Sequence, residues 1–342
     1  MWRRCSTHSN IHFRALSVWC GFNFRNFSAI RPKMSQAGTI NLQHLLSACF
    51  DVGQKAGRIV REVFRSGDLQ AHDKSADDAV FDPQTIADIR AQMMIVGSLS
   101  RLFPQIRLIG EEGHLDVEEK DTVIPDLTLL NDHHFPDYYE ELSCKDITIW
   151  IDPLDGTKEF TEGFVQCVTV LIGIAYKGEA IAGIVGQPFT DFEDGSTKTT
   201  IVWGCRDVGT FGYHPVSPFP DKSRRIVVTT RSHFTNEIQT YIDACSPDKV
   251  IRYGGCGGKI IMLLEGFADA YVFPSRGTKK WDTCAPQAIL EAAGGTLTLP
   301  DGSSLIYDDE TPFNSKGFIA TYRGDHQSYV GHFKRKSKDN KL

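Results

Sequence analysis

Carboxylates stand at the ends of apolar segments in four places along this chain, and their types and spacing could do chemistry. They are Asp88 within TIAD, Glu111 within IGEE, Asp152 and Asp155 within DPLDGT, and Asp282 within WDTCAP. All the candidate donor atoms are oxygens, which suit Mg²⁺ in octahedral coordination. Aspartate is also a common helix cap, so for each acid taken alone a structural role and a ligand role both stay open.

The segment WIDPLDGTKEF, residues 150–160, places two aspartates at the end of an apolar strand. Pro153 has a fixed φ angle and no N–H group, so it stiffens the turn between Asp152 and Asp155. The carbonyl oxygen of Leu154 can then point inward as a neutral ligand. Carboxylates packed this closely repel one another unless a cation is present. The segment favours a metal site, although by itself it also fits a capped turn.

Gly156 and Thr157 extend the same segment toward an anion. Glycine permits a close backbone approach, and Thr157 is predicted to open a helix. Free N–H groups at the start of a helix bind phosphate well. Two carboxylates, one carbonyl and one anion cradle therefore come from six consecutive residues.

The elements that must position these acids are predicted from hydrophobic periodicity. Apolar residues at helical spacing predict an amphipathic helix over 40–64. Asp82 and Pro83 predict the N-cap and first residue of a second helix, which Pro104 stops. The sequence IRLIGEE, over 106–112, predicts a short strand that ends in carboxylates.

The rest of the chain predicts strands that later alternate with helices. Residues 113–146 predict a surface insertion with one short helix, and Lys177-Gly178-Glu179 predicts a hairpin turn. Strands are predicted over 146–152, 168–176, 180–189, 224–230, 249–255 and 268–274, and helices near 234–245, 257–266 and 284–293. This order predicts an N-terminal α+β subdomain over 34–205 that carries most metal ligands, and a C-terminal α/β subdomain over 206–328.

Composition narrows the class of protein. The chain has 342 residues, of which 41% are hydrophobic and 23% charged, so it can bury a sizeable core. Its net charge of -6 argues against a dedicated nucleic-acid binder, which would usually be basic. None of its nine cysteines forms a CxxC pair, which indicates a reducing compartment. No apolar run reaches the length of a transmembrane helix.

The two termini differ from the remainder. Residues 1–33 hold arginines but no acid, a composition typical of a mitochondrial presequence. An unstructured leader, or translation that starts at Met34, would fit equally, and the three interpretations stay open. The basic run over 329–342 is expected to be a solvated tail.

Several motifs invite other interpretations. YGGCGGKI lacks the spacing of an ATP-binding phosphate loop, and Ile260 follows its lysine instead of Ser or Thr. His133 and His134 are expected in an exposed loop rather than in a metal pair. Cys284 is expected in a helix core, because the Arg-bearing loop of cysteine phosphatases is missing. A single WD dipeptide at 281–282 does not indicate a propeller-type interaction module.

The acid-bearing motifs resemble the lithium-sensitive, magnesium-dependent phosphomonoesterase superfamily, which includes inositol monophosphatases and fructose-1,6-bisphosphatases. The resemblance covers nearly all of 40–325, and IGEE, WIDPLDGTKEF and WDTCAPQAILEAAGG stand in the expected order and spacing. Lys158-Glu159-Phe160 stands where inositol monophosphatases usually carry Asn-Phe, and is similar to the 3′(2′),5′-bisphosphate nucleotidase branch. The resemblance implies an α+β or α/β fold arranged as a layered α-β-α-β-α sandwich.

The same resemblance implies how two or three Mg²⁺ ions are bound. Glu111, Asp152 and the Leu154 carbonyl would hold one ion. Asp152, Asp155 and Asp282 would hold a second.

Roles in catalysis and substrate binding are also implied by the resemblance. Asp88 would be the base and Thr157 the relay that orient and deprotonate the attacking water. Lys259 would face the phosphate that is not transferred. The implied substrate-binding residues are Gly156, Thr157, His233, Gly255, Lys259 and Asp282.

Two positions depart from the family pattern. Gly258 stands where Asn is expected, and Asp82-Pro83 replaces Asp-Leu. Both departures concern local substrate contacts and leave the implied metal ligands intact.

The implied reaction is hydrolysis of the 3′-phosphate of 3′-phosphoadenosine 5′-phosphate to AMP and phosphate, by metal-activated water without a covalent intermediate. Side activities on 3′-phosphoadenylyl sulfate and inositol 1,4-bisphosphate are implied as well. The alternative is an inositol mono- or polyphosphate phosphatase. The expected partner is a small nucleotide bisphosphate, with no nucleic-acid polymer and no membrane. We expect a cytoplasmic monomer, or a mitochondrial protein if residues 1–33 are a genuine presequence.

Overall fold

Two β-sheets with helices between and outside them make up the part of the chain that the structure describes. This structure is a computed structural model, and it describes residues 38–74, 82–190, 198–216, 225–308, 311–314, 316–323 and 325–330. The predicted leader and all but the first two residues of the predicted tail lie outside these ranges.

Six α-helices with defined bounds lie within the described ranges, and a Gly in the left-handed conformation caps two of them, α1 and α5. They are α1 (Leu42–Ser66), α2 (Ile86–Leu102), α3 (Thr157–Thr161), α4 (Asn236–Ala244), α5 (Gly257–Glu265) and α6 (Lys280–Ala292). The chain closes α1 with Gly67 at a φ of 73° and α5 with Gly266 at a φ of 86°, which residues with a Cβ adopt only with strain.

The first sheet has six strands in the order β10-β9-β8-β7-β6-β4, and the second has five in the order β12-β11-β13-β15-β14. Two further pairs, β1-β5 and β2-β3, are short. The strands are β1 (Thr39–Ile40), β2 (His72–Asp73), β3 (Pro83–Gln84), β4 (Arg107–Gly110), β5 (Leu142–Ser143), β6 (Ile147–Asp155), β7 (Thr169–Tyr176), β8 (Glu179–Gln187), β9 (Thr200–Cys205), β10 (Gly209–Phe211), β11 (Ile226–Thr230), β12 (Lys249–Tyr253), β13 (Ala270–Phe273), β14 (Thr296–Thr298) and β15 (Phe318–Thr321).

Two apolar cores fill the spaces between these layers. Helices α1 and α2 pack together and cover the first sheet, and α6 also packs on that sheet, through β7 and β8. Helices α5 and α6 contact each other, and a second core joins them to the five-stranded sheet and to Ile238 and Ile242 of α4. This arrangement of layers confirms the predicted fold class.

The division into subdomains at 205 stays a prediction. Strand β10 lies beyond that point, yet it pairs with β9 in the first sheet. Helix α6 belongs to the predicted C-terminal part, but packs on the first sheet as well. The two predicted parts therefore share an extensive contact.

Two predictions about where helices begin were wrong. Pro83 opens no helix: it pairs in β3 with Asp73, and Thr85 caps α2 by accepting a hydrogen bond from the Ala87 N–H. Helix α6 begins at Lys280 rather than at 284, because the Asp282 carboxylate accepts from the N–H of Lys279 and completes its first turn.

The predicted surface insertion over 113–146 is partly core. It contains three short 3₁₀ turns and β5, and it buries Leu130, Phe135 and Tyr139. The predicted exposed histidine pair is divided: His134 is exposed, whereas the His133 ring packs at 4.7 Å from the ring of Trp203. Apolar residues scattered without a period had hidden this burial.

Two other predictions about single features were confirmed. Residues 177–178 form the tight turn of the hairpin between β7 and β8. Cys284 is fully buried in α6, and all seven described cysteines are free. No helix within the described ranges combines the length and apolar character that a membrane crossing needs.

The contact between α6 and the first sheet leaves no room for a side chain at Gly173 of β7. A Cβ atom there would lie 2.5 Å from the backbone nitrogen of Ala285. We expect Gly173→Ala to lower the free energy of unfolding by about 1–3 kcal/mol, the usual cost of overpacking. Urea denaturation would measure it. Gly186→Ala is the matched control, since the nearest atom to its Cβ would be the flexible tip of Ile201 at 3.1 Å, and the next would lie at 3.4 Å or more. Equal losses in both variants would contradict the expectation.

Candidate active site

Strand pairing brings Glu111 and Asp152 to one edge of the first sheet. Strands β4 and β6 are parallel, with Gly110 opposite Ile151, so the residue after each lies at the same end. The N–H of Glu111 donates to the carbonyl of Ile151 at 3.0 Å. Two acids that are distant in sequence therefore become neighbours through backbone register alone.

The segment from Asp152 to Asp155 continues strand β6 with a bulge, where the sequence predicted a turn after the strand. The register of β6 against β7 shifts between these residues, as at a β-bulge, and the stretch is buried throughout. Asp152 Oδ1 accepts from the N–H of Leu154 at 3.0 Å. Gly156 follows with a φ of 86°, which turns the chain into α3.

Asp155 joins this turn to a segment one hundred residues away. Its Oδ1 accepts from the N–H of Cys256 at 2.8 Å, and its Oδ2 from the N–H of Gly257 at 2.8 Å. The Thr169 hydroxyl donates to the same Oδ2 at 2.7 Å. These donors hold the carboxylate at the start of α5 and leave lone pairs for a further ligand.

Asp88 and Thr157 meet as the resemblance implied. Asp88 Oδ2 accepts from both the N–H and the hydroxyl of Thr85, so the other oxygen, Oδ1, faces Thr157. The Thr157 hydroxyl lies 3.1 Å from Asp88 Oδ1 and 2.9 Å from the Leu154 carbonyl. One hydroxyl hydrogen can serve either acceptor, and the hydroxyl oxygen stays free to accept from a water.

Burial raises the pKa values of all five acids, and the charges of neighbouring carboxylates add to the rise for four of them: Asp88, Glu111, Asp152 and Asp282. Burial raises the pKa of Asp88 to about 7, and the nearby Glu112 adds to the rise. Burial and then the charge of Glu111 raise the pKa of Asp282 to about 7. The pKa of Asp152 lies well above its usual range, since burial and then the charges of Glu111, Asp155, Asp282 and Asp88 all oppose its ionisation.

These acids fit Mg²⁺ by the chemistry of their oxygens and by the repulsion that a cation would relieve. Within the described ranges, no three His, Cys, Asp or Glu side chains are already set at the spacing of a metal centre. Glu111 instead pairs with the Lys74 ammonium at 3.0 Å, and Glu112 pairs with it at 2.9 Å. An ion would therefore bind with movement of side chains and with several of its own waters, as Mg²⁺ usually does.

Of the predicted substrate residues, Gly156, His233 and Gly255 lie outside helices and strands, whereas the others lie in helices: Thr157 in α3, Lys259 in α5 and Asp282 in α6. Lys259 points elsewhere than expected. Its ammonium donates to the carbonyls of Tyr253 and Gly255, and its side chain is buried. Lys259 therefore stabilises the backbone over 253–255 through these hydrogen bonds. Gly255 has a φ of 60°, and a Cβ there would lie 2.7 Å from the Cys167 carbonyl. The ring of His233 contacts the Ser232 hydroxyl at 3.1 Å.

Three supporting residues escaped the sequence reasoning. Thr85 and Thr169 hold Asp88 and Asp155, and Lys74 neutralises Glu111. Thr85 stands three residues before Asp88, which is the spacing of a capping box and could have revealed it. Nothing local marks Thr169 or Lys74, because their partners lie 14 and 37 positions away in sequence.

Steric contact with Tyr253 explains why glycine stands at position 258, where Asn was expected. A Cβ there would lie 2.8 Å from Cε1 of Tyr253, so the tyrosine ring fills the space of the missing side chain. The Tyr253 hydroxyl donates to the Gln166 carbonyl at 2.6 Å and ties the loop to a neighbouring turn. Tyr253 and Gly258 are therefore a matched pair.

Metal-free stability should fall as pH rises through the range in which these acids ionise. Their folded-state pKa values lie above the unfolded ones, so between about pH 4 and 7 the folded chain binds more protons and loses stability as they leave. We expect Mg²⁺ to raise Tm more at pH 8 than at pH 5.5, measured against EDTA by thermal unfolding. Asp282→Asn should show a smaller pH effect in EDTA, and an unchanged one would refute this account.

Gly258→Asn alone should destabilise the fold by about 1–3 kcal/mol through the clash with Tyr253. The double variant Tyr253→Val/Gly258→Asn should regain most of this loss, because the smaller side chain frees the space. Denaturant unfolding of both single variants and the double variant gives the coupling energy. Additive losses would show that the two positions are independent.

Comparisons with known proteins show which sequences this chain is similar to. The family model described as "Inositol monophosphatase family" matches residues 41–336. The human protein 3′(2′),5′-bisphosphate nucleotidase 1 is 44% identical over 301 residues, which are 85% of this chain and 94% of that protein. Putative inositol monophosphatase 3 of Drosophila pseudoobscura pseudoobscura is 32% identical over 85% of this chain and 81% of its own length.

Solved structures share the fold. Extragenic suppressor protein suhB from Bartonella henselae superposes with a TM-score of 0.62 at 18% identity, and covers 85% of this chain and 98% of its own. At this identity the likeness supports the arrangement of layers and nothing about the substrate.

Proposed function

This chain belongs to the inositol monophosphatase family, and we propose that it is a Mg²⁺-dependent phosphatase that removes the 3′-phosphate of 3′-phosphoadenosine 5′-phosphate. The reaction class rests on one observation: the hydrogen bond between the hydroxyl of Thr157 and Asp88 beside a buried cluster of acids. The substrate rests on the similarity to the human 3′(2′),5′-bisphosphate nucleotidase 1 and on Lys158-Glu159-Phe160.

The residues that would hold two Mg²⁺ ions are those that the resemblance implied. Glu111, Asp152 and the Leu154 carbonyl would take one ion. Asp152, Asp155 and Asp282 would take the other. When bound, Mg²⁺ makes water a better nucleophile and offsets charge on the phosphoryl oxygens.

Asp88 and Thr157 would move the proton of the attacking water. Thr157 Oγ1 accepts one proton from the water while it donates its own to Asp88 Oδ1. Since burial raises the pKa of Asp88 to about 7, the carboxylate can take that proton near neutral pH. Thr85 keeps Asp88 in place by donating twice to its other oxygen.

The start of α3 would receive the transferred phosphate. The first N–H groups of a helix have no partner within it and favour an anion. Gly156 brings this backbone close to the acids, since its φ of 86° is accessible mainly to glycine. The chain would thereby place the phosphorus between the water that Thr157 orients and the leaving 3′ oxygen, without a covalent intermediate.

An inositol phosphate phosphatase is the second candidate. The observation in its favour is the Drosophila relative, whose name is that of an inositol monophosphatase and which is 32% identical over 85% of this chain. The acids and the Thr157–Asp88 pair would serve either substrate, so the choice rests on residues farther from the phosphorus. Cytoplasmic location and the monomeric state remain predictions from sequence.

A phosphate-release panel with Mg²⁺ tests the reaction and the substrate together. We expect turnover of 3′-phosphoadenosine 5′-phosphate to exceed that of 3′-phosphoadenylyl sulfate, inositol 1,4-bisphosphate and inositol monophosphate, and to fall in millimolar lithium. Asp152→Asn should lower kcat by about 100-fold or more while the fold persists, because the acid shared by both implied ions is lost.

Asp301→Asn is the control for Asp152→Asn, since Asp301 is an exposed carboxylate paired with Lys316. It should retain full activity. An active, Mg²⁺-dependent Asp152→Asn protein would overturn the metal assignment, and faster turnover of inositol phosphates would favour the second candidate.

A further inference from the structure

Glu159 is a buried carboxylate that belongs neither to the proposed metal ligands nor to the proposed proton relay of Thr157 and Asp88. It lies in α3, two residues after Thr157, and is 1% exposed. Its Oε1 accepts from Nη1 of Arg231 at 3.3 Å. Arg231 follows β11, so this contact links α3 to the carboxyl end of the second sheet.

Arg231 is held on more than one side. Its guanidinium also pairs with Glu162 at 2.6 Å and stacks over the ring of Phe164, with 4.2 Å from Cζ to the ring centre. The guanidinium thus lies between two acids and an aromatic ring. Of the two acids, Glu159 is the buried one, with 2% of its side chain exposed against 36% for Glu162.

The backbone of the 254–255 loop rests on the same carboxylate. A Cβ atom at Gly254 would lie 2.4 Å from Cδ of Glu159, so no side chain fits between the loop and the acid. A Cβ at Gly156 would lie 3.7 Å from Glu159 Oε2. Glu159 therefore contacts the loop and lies beside the start of α3.

The charge of Glu159 also reaches His233. Although this histidine reaches solvent, desolvation lowers its pKa, and the nearby Glu159 carboxylate opposes that effect. One side chain therefore adjoins three segments that carry candidate substrate residues: the start of α3, the 231–233 turn and the 254–255 loop.

We propose that Glu159, acting through Arg231, is a positioning residue that fixes the nucleoside side of the site and so selects a nucleotide. This inference rests on the proposed function. In the proposed function the transferred phosphate lies against the acids and the start of α3. Residues other than Glu159 hold the acids, such as Thr85 for Asp88 and Thr169 for Asp155. The rest of a nucleoside bisphosphate must extend beyond them, and the turn after β11 and the 254–255 loop, which Glu159 contacts through Arg231 and at Gly254, are the described segments that we expect to receive it. An inositol phosphate is shorter and depends less on these segments.

The test compares Glu159→Gln and Arg231→Gln with wild type in steady-state hydrolysis of 3′-phosphoadenosine 5′-phosphate. We expect KM and the inhibition constant of the product AMP to rise about tenfold, with kcat changed by less than about twofold, since the loss concerns binding rather than the reacting atoms. The inhibition constant of inorganic phosphate, which occupies only the reacting end, should stay unchanged. The double variant should be no worse than either single variant if the pair acts as a unit.

Glu162→Gln is the matched control, because it removes the more exposed partner of the same guanidinium. It should change the AMP inhibition constant by less than about twofold. Arg231 is partly exposed, so its variant keeps the test valid if Glu159→Gln fails to fold.

Three outcomes would overturn the inference: unchanged AMP inhibition, an equal rise for AMP and phosphate, or a loss confined to kcat. Wild-type protein that does not hydrolyse the adenosine bisphosphate would overturn the proposed function and this inference together. Active wild type with normal AMP binding in both variants would overturn this inference alone.

Discussion

The Asp155 carboxylate is the contact on which the site depends. It stands at the end of β6 and accepts hydrogen bonds from the backbone of Cys256 and Gly257, where α5 begins. The first sheet is thereby fastened to the part of the chain that carries the second. Because these bonds engage a charged acceptor, they are stronger than neutral ones, and they keep a buried acid beside other acids. Asp155 thus both joins the two halves and belongs to the group of acids.

The glycines near Asp155 are required because the backbone there packs closely against neighbouring groups. At Gly254, Gly255 and Gly258 an added Cβ would come within 2.8 Å or less of Glu159, of the Cys167 carbonyl and of Tyr253, respectively. The sequence YGGCGGKI looks like a phosphate loop for this reason, although its glycines serve packing and its lysine turns back to the loop carbonyls. A glycine-rich segment therefore indicates close packing of the backbone, but the groups that it packs against are identified by the structure.

Most of the fold could be predicted, because it depends on local rules, whereas the ligand set came from the resemblance and stays a prediction. Strand periodicity located β6, β7 and β8, and Gly156 turns the chain from β6 into α3. The errors arose where a distant partner decides the local conformation. Pro83 entered a strand because Asp73 pairs with it, and residues 113–146 became partly core because Phe135 and its neighbours bury against other elements. The resemblance placed Lys259 against the phosphate that is not transferred, whereas its ammonium donates to the carbonyls of Tyr253 and Gly255.

The Thr157 hydroxyl can donate its one hydrogen to either of two acceptors, and this choice affects the ionisation of Asp88. The hydroxyl has two acceptors at nearly equal distance, the Leu154 carbonyl at 2.9 Å and Asp88 at 3.1 Å. If Leu154 turned its carbonyl to an ion, that carbonyl would become a poorer acceptor, and the hydroxyl would donate to Asp88. Such a donation favours the ionised form of Asp88 and opposes the burial that raises its pKa. If the proposed metal and base roles hold, binding of an ion at Leu154 and ionisation of Asp88 would be linked through one proton, which would give the threonine after Gly156 a function.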